Sequence, residues 1–184
     1  MTQTKTEFLD VLDENGDLTG EKMDRKKIHD LGIWHKCVHI WIINPKGELL
    51  IQKRASHLDN FGGLWDISAA GHVEAGETRE EAALKELREE LGVQIPFSEM
   101  IFLKDLKVSL VNTKTAGFKN HFDSVYLLPK DIKIEDLVLQ EEEVEKVEYI
   151  PWRELKKQIG IEPEKFTNRK EEFEILFEYL EKNF

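Results

Sequence analysis

Three glutamates, Glu86, Glu89 and Glu90, lie within one short segment whose apolar spacing predicts a helix. At about 100° per residue, Glu86 and Glu90 lie one turn apart on that helix, and Glu89 flanks them. Clustered carboxylates repel one another unless a cation lies between them, and their hard oxygen atoms favour Mg²⁺ or Mn²⁺ over softer metals. The segment therefore predicts a site for a divalent metal.

A helix rich in glutamate, lysine and arginine is more often a solvent-exposed surface, and Glu81 with Lys85 has the spacing of an ordinary ion pair. The turn before the helix favours a functional site instead. It contains Gly71 and Glu77, which helix capping does not require, because Thr78 alone can serve as the N-cap.

The segment 71–93, GHVEAGETREEAALKELREELGV, resembles the Nudix box, whose pattern is G-x5-E-x7-R-E-U-x-E-E-x-G-U with U a bulky aliphatic residue. The matching residues are Gly71, Glu77, Glu86, Leu87, Glu89, Glu90, Gly92 and Val93. Lys85 departs from the pattern, because the family has an arginine there that helps to orient the metal-binding glutamates. Lysine lacks the planar fork of a guanidinium group, so we expect a less efficient site with the same chemistry.

The resemblance implies a fold and a cofactor. The fold would be the Nudix fold, an α/β/α sandwich around a mixed sheet, here with an N-terminal β-hairpin. The cofactor would be Mg²⁺, for which Mn²⁺ could substitute. The implied metal ligands are the carboxylates of Glu86, Glu89 and Glu90, the carbonyl of Gly71 and the imidazole of His72, while Glu77 would orient the loop or a metal-bound water.

The predicted reaction is hydrolysis of a phosphoanhydride bond. The charges on a diphosphate repel an incoming nucleophile, and a bound divalent metal neutralises the oxygen atoms and activates water. We expect Lys53 and Arg54, at a strand end before the box, and Arg25 to bind the phosphates. The general base is either a box glutamate or one of the acidic residues 141–143 in a later loop, for which a solvated turn is the alternative.

The surroundings of the box, residues 35–44, 46–54 and 64–72, also resemble isopentenyl diphosphate isomerases. Those enzymes use a cysteine directly before a Gly-His pair, and a glutamate from a later strand, to move a proton. The cysteine position here is Ala70, and His121 stands where the glutamate would be. The isomerase mechanism therefore loses both of its proton-transferring groups.

The same resemblance bears on metal binding. His35 and His72 align with histidine metal ligands of the isomerases, although a single histidine is more often structural. Cys37 lies in a different strand from the isomerase cysteine and is most simply a small buried apolar residue. Metal binding by these histidines is left open.

The preferred function is a metal-dependent Nudix hydrolase that cleaves a phosphoanhydride bond in a nucleoside diphosphate-linked or related substrate. The alternatives are isopentenyl diphosphate isomerase and a catalytically silent Nudix-type binding module, a class in which the box is often damaged. A base could stack on Trp34, Trp41, Trp65, Trp152, Phe61 or Phe118, each of which is more often a core residue.

Composition limits the partners. The chain has 184 residues and a net charge of -11, which disfavours non-specific binding to nucleic acid because such binding depends on lysine and arginine. No apolar run approaches the ~20 residues of a membrane span, and residues 1–10 lack the apolar core of a secretory signal. We expect a cytoplasmic protein with a small-molecule diphosphate as partner, no nucleic acid or membrane partner, and an N-terminal ribbon that could form a homodimer.

Chain length and element pattern predict one domain over residues 1–184. Asn15-Gly16 is a strong turn signal and predicts the hairpin. The expected segments are a hairpin at 7–23, a core at about 34–155, a strand at 64–70, a connector at 112–119 and a final helix at 168–183. Asn168 is the expected N-cap of that helix.

Overall fold

The structure is a computed structural model that describes residues 6–58, 60–112 and 117–184. Within these residues the chain forms nine β-strands and four α-helices. The strands are β1 (Phe8–Leu12), β2 (Leu18–Asp24), β3 (His35–Ile43), β4 (Glu48–Arg54), β5 (Trp65–Asp66), β6 (Ala69–His72), β7 (Ile101–Asn112), β8 (Gly117–Pro129) and β9 (Val144–Pro151). The helices are α1 (Arg25–Leu31), α2 (Arg79–Leu91), α3 (Trp152–Ile161) and α4 (Lys170–Asn183).

Seven strands form one mixed sheet, and β3 is its central strand. The order is β5-β4-β3-β8-β7, with β6 also paired with β3 and β9 with β4. β3 is parallel to β8 along its whole length. On its other edge it is antiparallel, first to β6 over residues 37–40 and then to β4 at Ile42 and Ile43. The predicted mixed sheet is confirmed.

Both faces of β3 are buried, since every residue of the strand except Lys36 is buried and residues 40–43 are continuously apolar. Val38 and Ile40 pack with Leu87 of α2 in one core. Trp41 packs on the other face in a second core with Phe177 of α4. Helices therefore cover both faces of the sheet, and the predicted α/β/α sandwich is confirmed.

β1 and β2 form the predicted N-terminal hairpin, which is a separate two-stranded sheet. Gly16 in its turn has a φ of 91°, a conformation that glycine adopts without strain. The hairpin lies against residues 71–77, which we call the glycine-rich turn. The amide of Ala75 donates to the carbonyl of Phe8 (2.7 Å), and the amide of Gly76 donates to the carboxylate of Asp10 (2.9 Å).

The single strand predicted at 64–70 is wrong, because the structure divides it into β5 and β6. β5 pairs with β4 and β6 pairs with β3, so the chain passes from one neighbour to the other at Ser68. The hydroxyl of Ser68 accepts a hydrogen bond from the amide of Ile42 (2.8 Å) and donates to the carbonyl of Leu50. Such a bridge between distant strands leaves no local signal in the sequence.

The boundaries of two late elements also differ from expectation. β8 begins at Gly117, so the predicted connector is shorter, and residues 113–116 lie outside the described part of the chain. α4 begins at Lys170 with Arg169 as the N-cap residue, so the prediction that Asn168 caps it is wrong. No helix in the described residues is long and apolar enough to cross a lipid bilayer.

Candidate active site

A cavity of about 620 Å³ lies between the sheet, α1, the glycine-rich turn and the start of α4. α1 contributes Arg25 and His29, and the start of α4 contributes Arg169. Alternate residues of β3 also line the cavity, because a strand directs successive side chains to opposite faces. These residues are His35, Cys37 and His39.

α2 carries the predicted metal ligands and is fixed at its N-terminus by a capping box. The hydroxyl of Thr78 accepts from the amide of Glu81, whose carboxylate accepts from the amide of Thr78. The predicted N-cap is confirmed, but Glu81 acts in the cap and the predicted pair with Lys85 is wrong. Buried Leu87 and Leu91 hold α2 on the sheet, so its glutamates lie at the edge of the core.

Glu90 is almost completely buried, with 2% of its surface exposed. Its carboxylate accepts hydrogen bonds from Nε2 of Gln52 (3.0 Å) and from the amide of Ala70 (3.3 Å). Burial, followed by the charges of Glu86 and Glu143, raises the pKa of Glu90 well above its usual range. A cation beside this carboxylate would stabilise its charged form.

Glu86 lies directly against the backbone of Gly71. A Cβ atom at position 71 would be only 2.0 Å from Cδ of Glu86, so the contact requires glycine. Burial raises the pKa of Glu86 to about 8 against the opposing charge of Lys85, and the carboxylates of Glu89 and Glu143 add to the effect. Two adjacent acids held out of water beside an uncovered backbone fit a hard divalent cation.

Glu89, the third predicted metal ligand, lines the same cavity but is half-exposed. Its carboxylate lies 3.6 Å from the guanidinium group of Arg88. An exposed pair of this kind holds its partners weakly. The Glu89 side chain can therefore turn towards a cation bound at Glu86.

Lys85 connects α2 to the glycine-rich turn. Its Nζ lies 3.0 Å from the carboxylate of Glu77, 3.2 Å from that of Glu74 and 3.7 Å from that of Glu86. Glu77 also accepts a hydrogen bond from the amide of Glu74 (3.0 Å). Glu77 is not among the residues that line the cavity, and its contacts hold the turn against the helix.

The acidic residues 141–143 divide into two groups. Glu143 lines the cavity, whereas Glu141 and Glu142 are exposed. The loop that carries them is attached to the end of α2, because the amide of Gln140 donates to the carbonyl of Glu90 (3.1 Å). Glu143 is therefore the member of this group that lies within reach of the box glutamates.

Two of the three predicted phosphate-binding residues line the cavity. They are Arg54 and Arg25, of which Arg25 also pairs with Glu7 (2.9 Å). Lys53 lies outside the cavity and donates to Glu145 (2.8 Å). The difference arises because consecutive residues of β4 project to opposite faces.

Three imidazole rings, His29, His35 and His72, meet in the cavity and are called the imidazole group below. Nε2 of His29 lies 3.3 Å from Nε2 of His35 and 3.1 Å from Nε2 of His72. His35 donates from Nδ1 to the carbonyl of Ile33 (2.9 Å), so its Nε2 keeps a lone pair. Burial lowers the pKa of His29 and of His35 to about 4 and that of His72 well below its usual range. Neutral rings arranged in this way could hold a metal ion.

His29 was not among the predicted ligands. It follows Arg25 by four residues on α1, so both side chains lie on one face of that helix. This four-residue spacing could have identified His29 from the sequence, because Arg25 was already a candidate phosphate-binding residue.

Ala70, at the position of the isomerase cysteine, lines the cavity and offers no group that exchanges a proton. Cys37 is 8% exposed, as expected of a buried residue, and burial raises the pKa of its thiol. It forms a second group with His121 and Asp123, whose ligand atoms all lie within 4.8 Å of one another. His121 donates a hydrogen bond to the carboxylate of Asp123.

The tryptophans suggested as a stacking surface, Trp34, Trp41, Trp65 and Trp152, do not line the cavity. Trp41 packs against Phe173 in the core, for example. Phe61 does line the cavity. The side chain of Phe118 lies outside the described part of the structure.

Sequence reasoning missed a buried polar network at the start of α4. Arg169 donates to Asp66 from Nε (2.7 Å) and Nη2 (3.3 Å), and its Nη1 lies 3.0 Å from Nε2 of His39. Glu172 accepts from His39 (2.8 Å) and from Trp41 (2.8 Å). Arg169 and Asp66 are 103 residues apart, so no local pattern reveals their contact.

Comparison with known proteins places the chain among its relatives. The NUDIX domain model matches residues 34–173. Nudix hydrolase 3 of Arabidopsis thaliana is 39% identical over 80% of this chain, although the match spans only 20% of that protein. An uncharacterized Nudix hydrolase of Listeria monocytogenes is 37% identical over 79% of this chain and 80% of its own length. The crystal structure of DR0079 from Deinococcus radiodurans is 25% identical with a TM-score of 0.65, covering 85% of this chain and 90% of that one.

Isomerases occur among the relatives at lower identity. The isopentenyl-diphosphate delta-isomerase of Pectobacterium atrosepticum is 30% identical over 85% of this chain and 83% of its own length. The resemblance to Nudix hydrolases and to isopentenyl diphosphate isomerases is therefore confirmed. A domain model that matches most of the chain, together with a relative that is 37% identical and matched over 80% of its length, shows that the chain belongs to the Nudix hydrolase family.

Proposed function

We propose that this chain cleaves a phosphoanhydride bond in a nucleoside diphosphate-linked or related diphosphate substrate, by metal-dependent attack of water at phosphorus. The observation that carries the proposal is a pair of carboxylates one helical turn apart, both with raised pKa values: Glu86 lies against the backbone of Gly71, and Glu90 accepts from the amide of Ala70. Family membership supports the reaction class. The cavity has the size of a small-molecule site.

We assign Mg²⁺ or Mn²⁺ to Glu86, Glu89 and Glu90, with the carbonyl of Gly71 as a further ligand. When bound, such a cation neutralises phosphate oxygen atoms and lowers the pKa of water. Glu77 acts indirectly in this assignment, because it holds the glycine-rich turn and hence the Gly71 carbonyl in place.

Glu143 is assigned as the general base, because it lines the cavity beside the box glutamates and can accept the proton of the attacking water. Arg25 and Arg54 bind phosphate oxygen atoms, for which guanidinium groups offer paired donors. Lys53 has no role in the site, since it pairs with Glu145 outside the cavity.

The imidazole group is assigned to a second divalent cation, with His72 as a ligand of this site rather than of the glutamate site. Neutral imidazole suits Mn²⁺ or a later transition metal better than Mg²⁺. His72→Ala should lose one equivalent of bound Mn²⁺ in calorimetry. Glu90→Gln should retain that equivalent, and loss of the same equivalent in both variants would contradict two separate sites.

The reaction is tested with a panel of nucleotide, sugar-nucleotide, coenzyme and prenyl diphosphates in Mg²⁺ and in Mn²⁺, with release of phosphate and nucleoside monophosphate as the readout. Glu90→Gln should abolish metal-dependent turnover and leave the circular dichroism spectrum unchanged. Glu142→Gln is the control, because Glu142 is exposed and should be dispensable. Undiminished turnover in Glu90→Gln would refute the assignment.

The two alternative functions give different results in the same experiment. The isomerase should convert isopentenyl diphosphate and take up deuterium from D₂O, which Ala70 disfavours because it supplies no acid at the cysteine position. A binding module should bind a diphosphate tightly in Mg²⁺ without turnover. Phosphate release with no deuterium uptake supports the hydrolase against both.

The hairpin is a candidate contact for the homodimer expected from the sequence. It exposes two large apolar side chains, Phe8 and Leu18, with 46% and 62% of their surfaces accessible. Sedimentation equilibrium should give twice the chain mass of 21.5 kDa if this contact forms.

A further inference from the structure

Gln52 of β4 is a buried polar residue at a position where its neighbours are apolar. A strand directs alternate residues to one face, so Gln52 faces the same way as Leu50. Its antiparallel neighbour on β9 is Val147. Leu50 and Val147 both pack with Leu87 of α2 in one core, and Gln52 itself is 1% exposed. Packing alone would therefore favour an apolar side chain at this position.

The amide group of Gln52 contacts a single carboxylate. Its Nε2 donates to Oε2 of Glu90 (3.0 Å), whereas its Oε1 is buried and has no hydrogen-bond partner among the described residues. Rotating the amide would place Oε1 against a carboxylate oxygen, so the orientation is fixed while Glu90 is charged. A buried acceptor without a partner costs about 1–3 kcal/mol, which an apolar side chain would avoid. The contact with Glu90 is what the amide provides in return.

Both hydrogen bonds to Glu90 use the same oxygen atom. Oε2 accepts from Gln52 and from the amide of Ala70 (3.3 Å), whereas Oε1 accepts from no group in the described part of the chain. The strongest charges acting on Glu90 are those of Glu86 and Glu143, which are also acidic. A carboxylate oxygen without a donor, next to other acids, suits a hard cation.

The two box glutamates differ in their access to the cavity. Glu86 lines it, and Glu90, one helical turn later, does not. A cation held at Glu86 would meet Glu90 through Oε1, because Oε2 is held by Gln52 and Ala70. Ligation through one oxygen suits Mg²⁺, which requires near-ideal octahedral geometry, whereas the larger Ca²⁺ readily takes both oxygens of a carboxylate.

We propose that Gln52 is a positioning residue that makes the glutamate site select Mg²⁺ over Ca²⁺. By holding Oε2 of Glu90, it restricts this carboxylate to one bond with the metal. The inference rests on the proposed function and adds a determinant of its metal selectivity. Gln52 lies 38 residues before Glu90, outside the box, so the box motif does not reveal it.

The test is calorimetric titration of the wild type and of Gln52→Met with Mg²⁺ and, separately, with Ca²⁺. Both cations favour oxygen ligands over imidazole, so the imidazole group does not contribute. Gln52→Met removes the donor and keeps a side chain of similar size. It should weaken Mg²⁺ binding by about 10- to 100-fold, the usual effect of losing a group that orients a metal ligand. Ca²⁺ binding should be unchanged, because the released Oε2 becomes a further ligand for it.

Gln158→Met is the matched control. Gln158 donates from Nε2 to the carboxylate of Glu154 at the same distance, 3.0 Å, but lies on α3 outside the cavity. Its affinities for both cations should equal those of the wild type. Gln52→Asn is a second variant, which keeps an amide in the core but is shorter by a methylene group, so that its donor no longer reaches Glu90. It should show the same loss of preference for Mg²⁺.

A loss of equal size for Mg²⁺ and Ca²⁺ would reduce Gln52 to a structural role and overturn the inference, as would an unchanged Mg²⁺ affinity in Gln52→Met. Glu90→Gln separates the inference from the proposed function. If Glu90→Gln weakens Mg²⁺ binding and Gln52→Met does not, the proposed ligands stand and only the inference fails. If Glu90→Gln binds Mg²⁺ as the wild type does, Glu90 is not a ligand and both fail.

Discussion

At Gly71 the backbone lies directly against the carboxylate of Glu86, which we propose as a metal ligand. A methyl group at this position would overlap the carboxylate of Glu86, with 2.0 Å between Cβ and Cδ. Gly71→Ala should therefore displace Glu86 and weaken Mn²⁺ binding by about 10- to 100-fold, as is typical when a group that orients metal ligands is lost. Isothermal titration calorimetry measures this change.

Gly160→Ala is the matched control for that substitution. Gly160 lies in α3, and a Cβ atom there would meet no atom within 4 Å. Alanine should stabilise the helix by about 1 kcal/mol and leave the Mn²⁺ affinity unchanged. Equal Mn²⁺ affinities in Gly71→Ala and Gly160→Ala would show that metal binding does not require glycine at position 71.

Glu86 should make the stability of the metal-free protein depend on pH. Its pKa is about 8 in the folded chain, against an ordinary value of 4.5, so the folded state binds the extra proton between these values. The stabilisation is complete below about pH 4.5 and is lost as the pH rises through 8. Thermal unfolding in the presence of a chelator should show this decline.

In Glu86→Gln the decline of thermal stability with rising pH should become shallower. Glu80→Gln should keep the wild-type slope, because Glu80 lies on the same helix outside the cavity. Added Mg²⁺ should protect the wild type more strongly at pH 8 than at pH 6, since protons compete with the metal for Glu86. A pH-independent protection would contradict a metal site at this carboxylate.

At this scale the box predicted Glu86 and Glu89 of the cavity wall from sequence, because their spacing on one helix is a local property. Arg54 and Lys53 could not be distinguished in the same way. Which of two consecutive strand residues faces the cavity depends on the register of β4, and the sequence alone does not determine that register. Arg169 was missed because its partner Asp66 is remote in the chain.

At the scale of elements, the hairpin supports the glycine-rich turn through Asp10, whose carboxylate accepts from the amide of Gly76 (2.9 Å). Asp10→Ala should remove this hydrogen bond, worth about 1 kcal/mol, and loosen the turn. Amide hydrogen exchange at Gly76 should become faster, and kcat/KM should fall. In the control Asp17→Ala, at an exposed position of the same hairpin, exchange at Gly76 should not change.

The hairpin and α2 were predicted correctly because their signals are local: Asn15-Gly16 for one, and the capping residue with apolar periodicity for the other. The division of the expected strand 64–70 into β5 and β6 was not predicted. It depends on Ser68 joining the amide of Ile42 to the carbonyl of Leu50, two groups that become neighbours only in the folded sheet.

At the scale of the whole molecule, the pair of Asp66 and Arg169 attaches α4 to the sheet. Asp66 is 4% exposed, and the guanidinium group of Arg169 holds the pKa of its carboxyl well below the usual range despite burial. Asp66→Asn would remove the carboxylate closest to Arg169 and leave Glu172 at 3.6 Å, so it should lower the free energy of unfolding by about 3 kcal/mol. Urea unfolding measures this loss.

Glu178→Gln breaks an exposed pair with Lys182 on the same helix and serves as the control. Its unfolding midpoint should equal that of the wild type, because surface ion pairs contribute little. A similar midpoint in Asp66→Asn would mean that α4 is held mainly by its apolar face.

The architecture as a whole could be predicted from the sequence because one family motif fixes the class of sheet and helices. The composition of the cavity wall could not, because it is assembled from segments far apart in the chain. His39 and Glu172, for example, form their hydrogen bond across 133 residues.

This distance has a consequence for biosynthesis. The box is translated long before Arg169 and Glu172, which complete the wall of the cavity at the start of α4. A nascent chain on the ribosome can thus contain Glu86, Glu89 and Glu90 and still lack part of the cavity wall. Because contacts between remote segments form late, turnover of cellular diphosphates should begin only after α4 has left the exit tunnel.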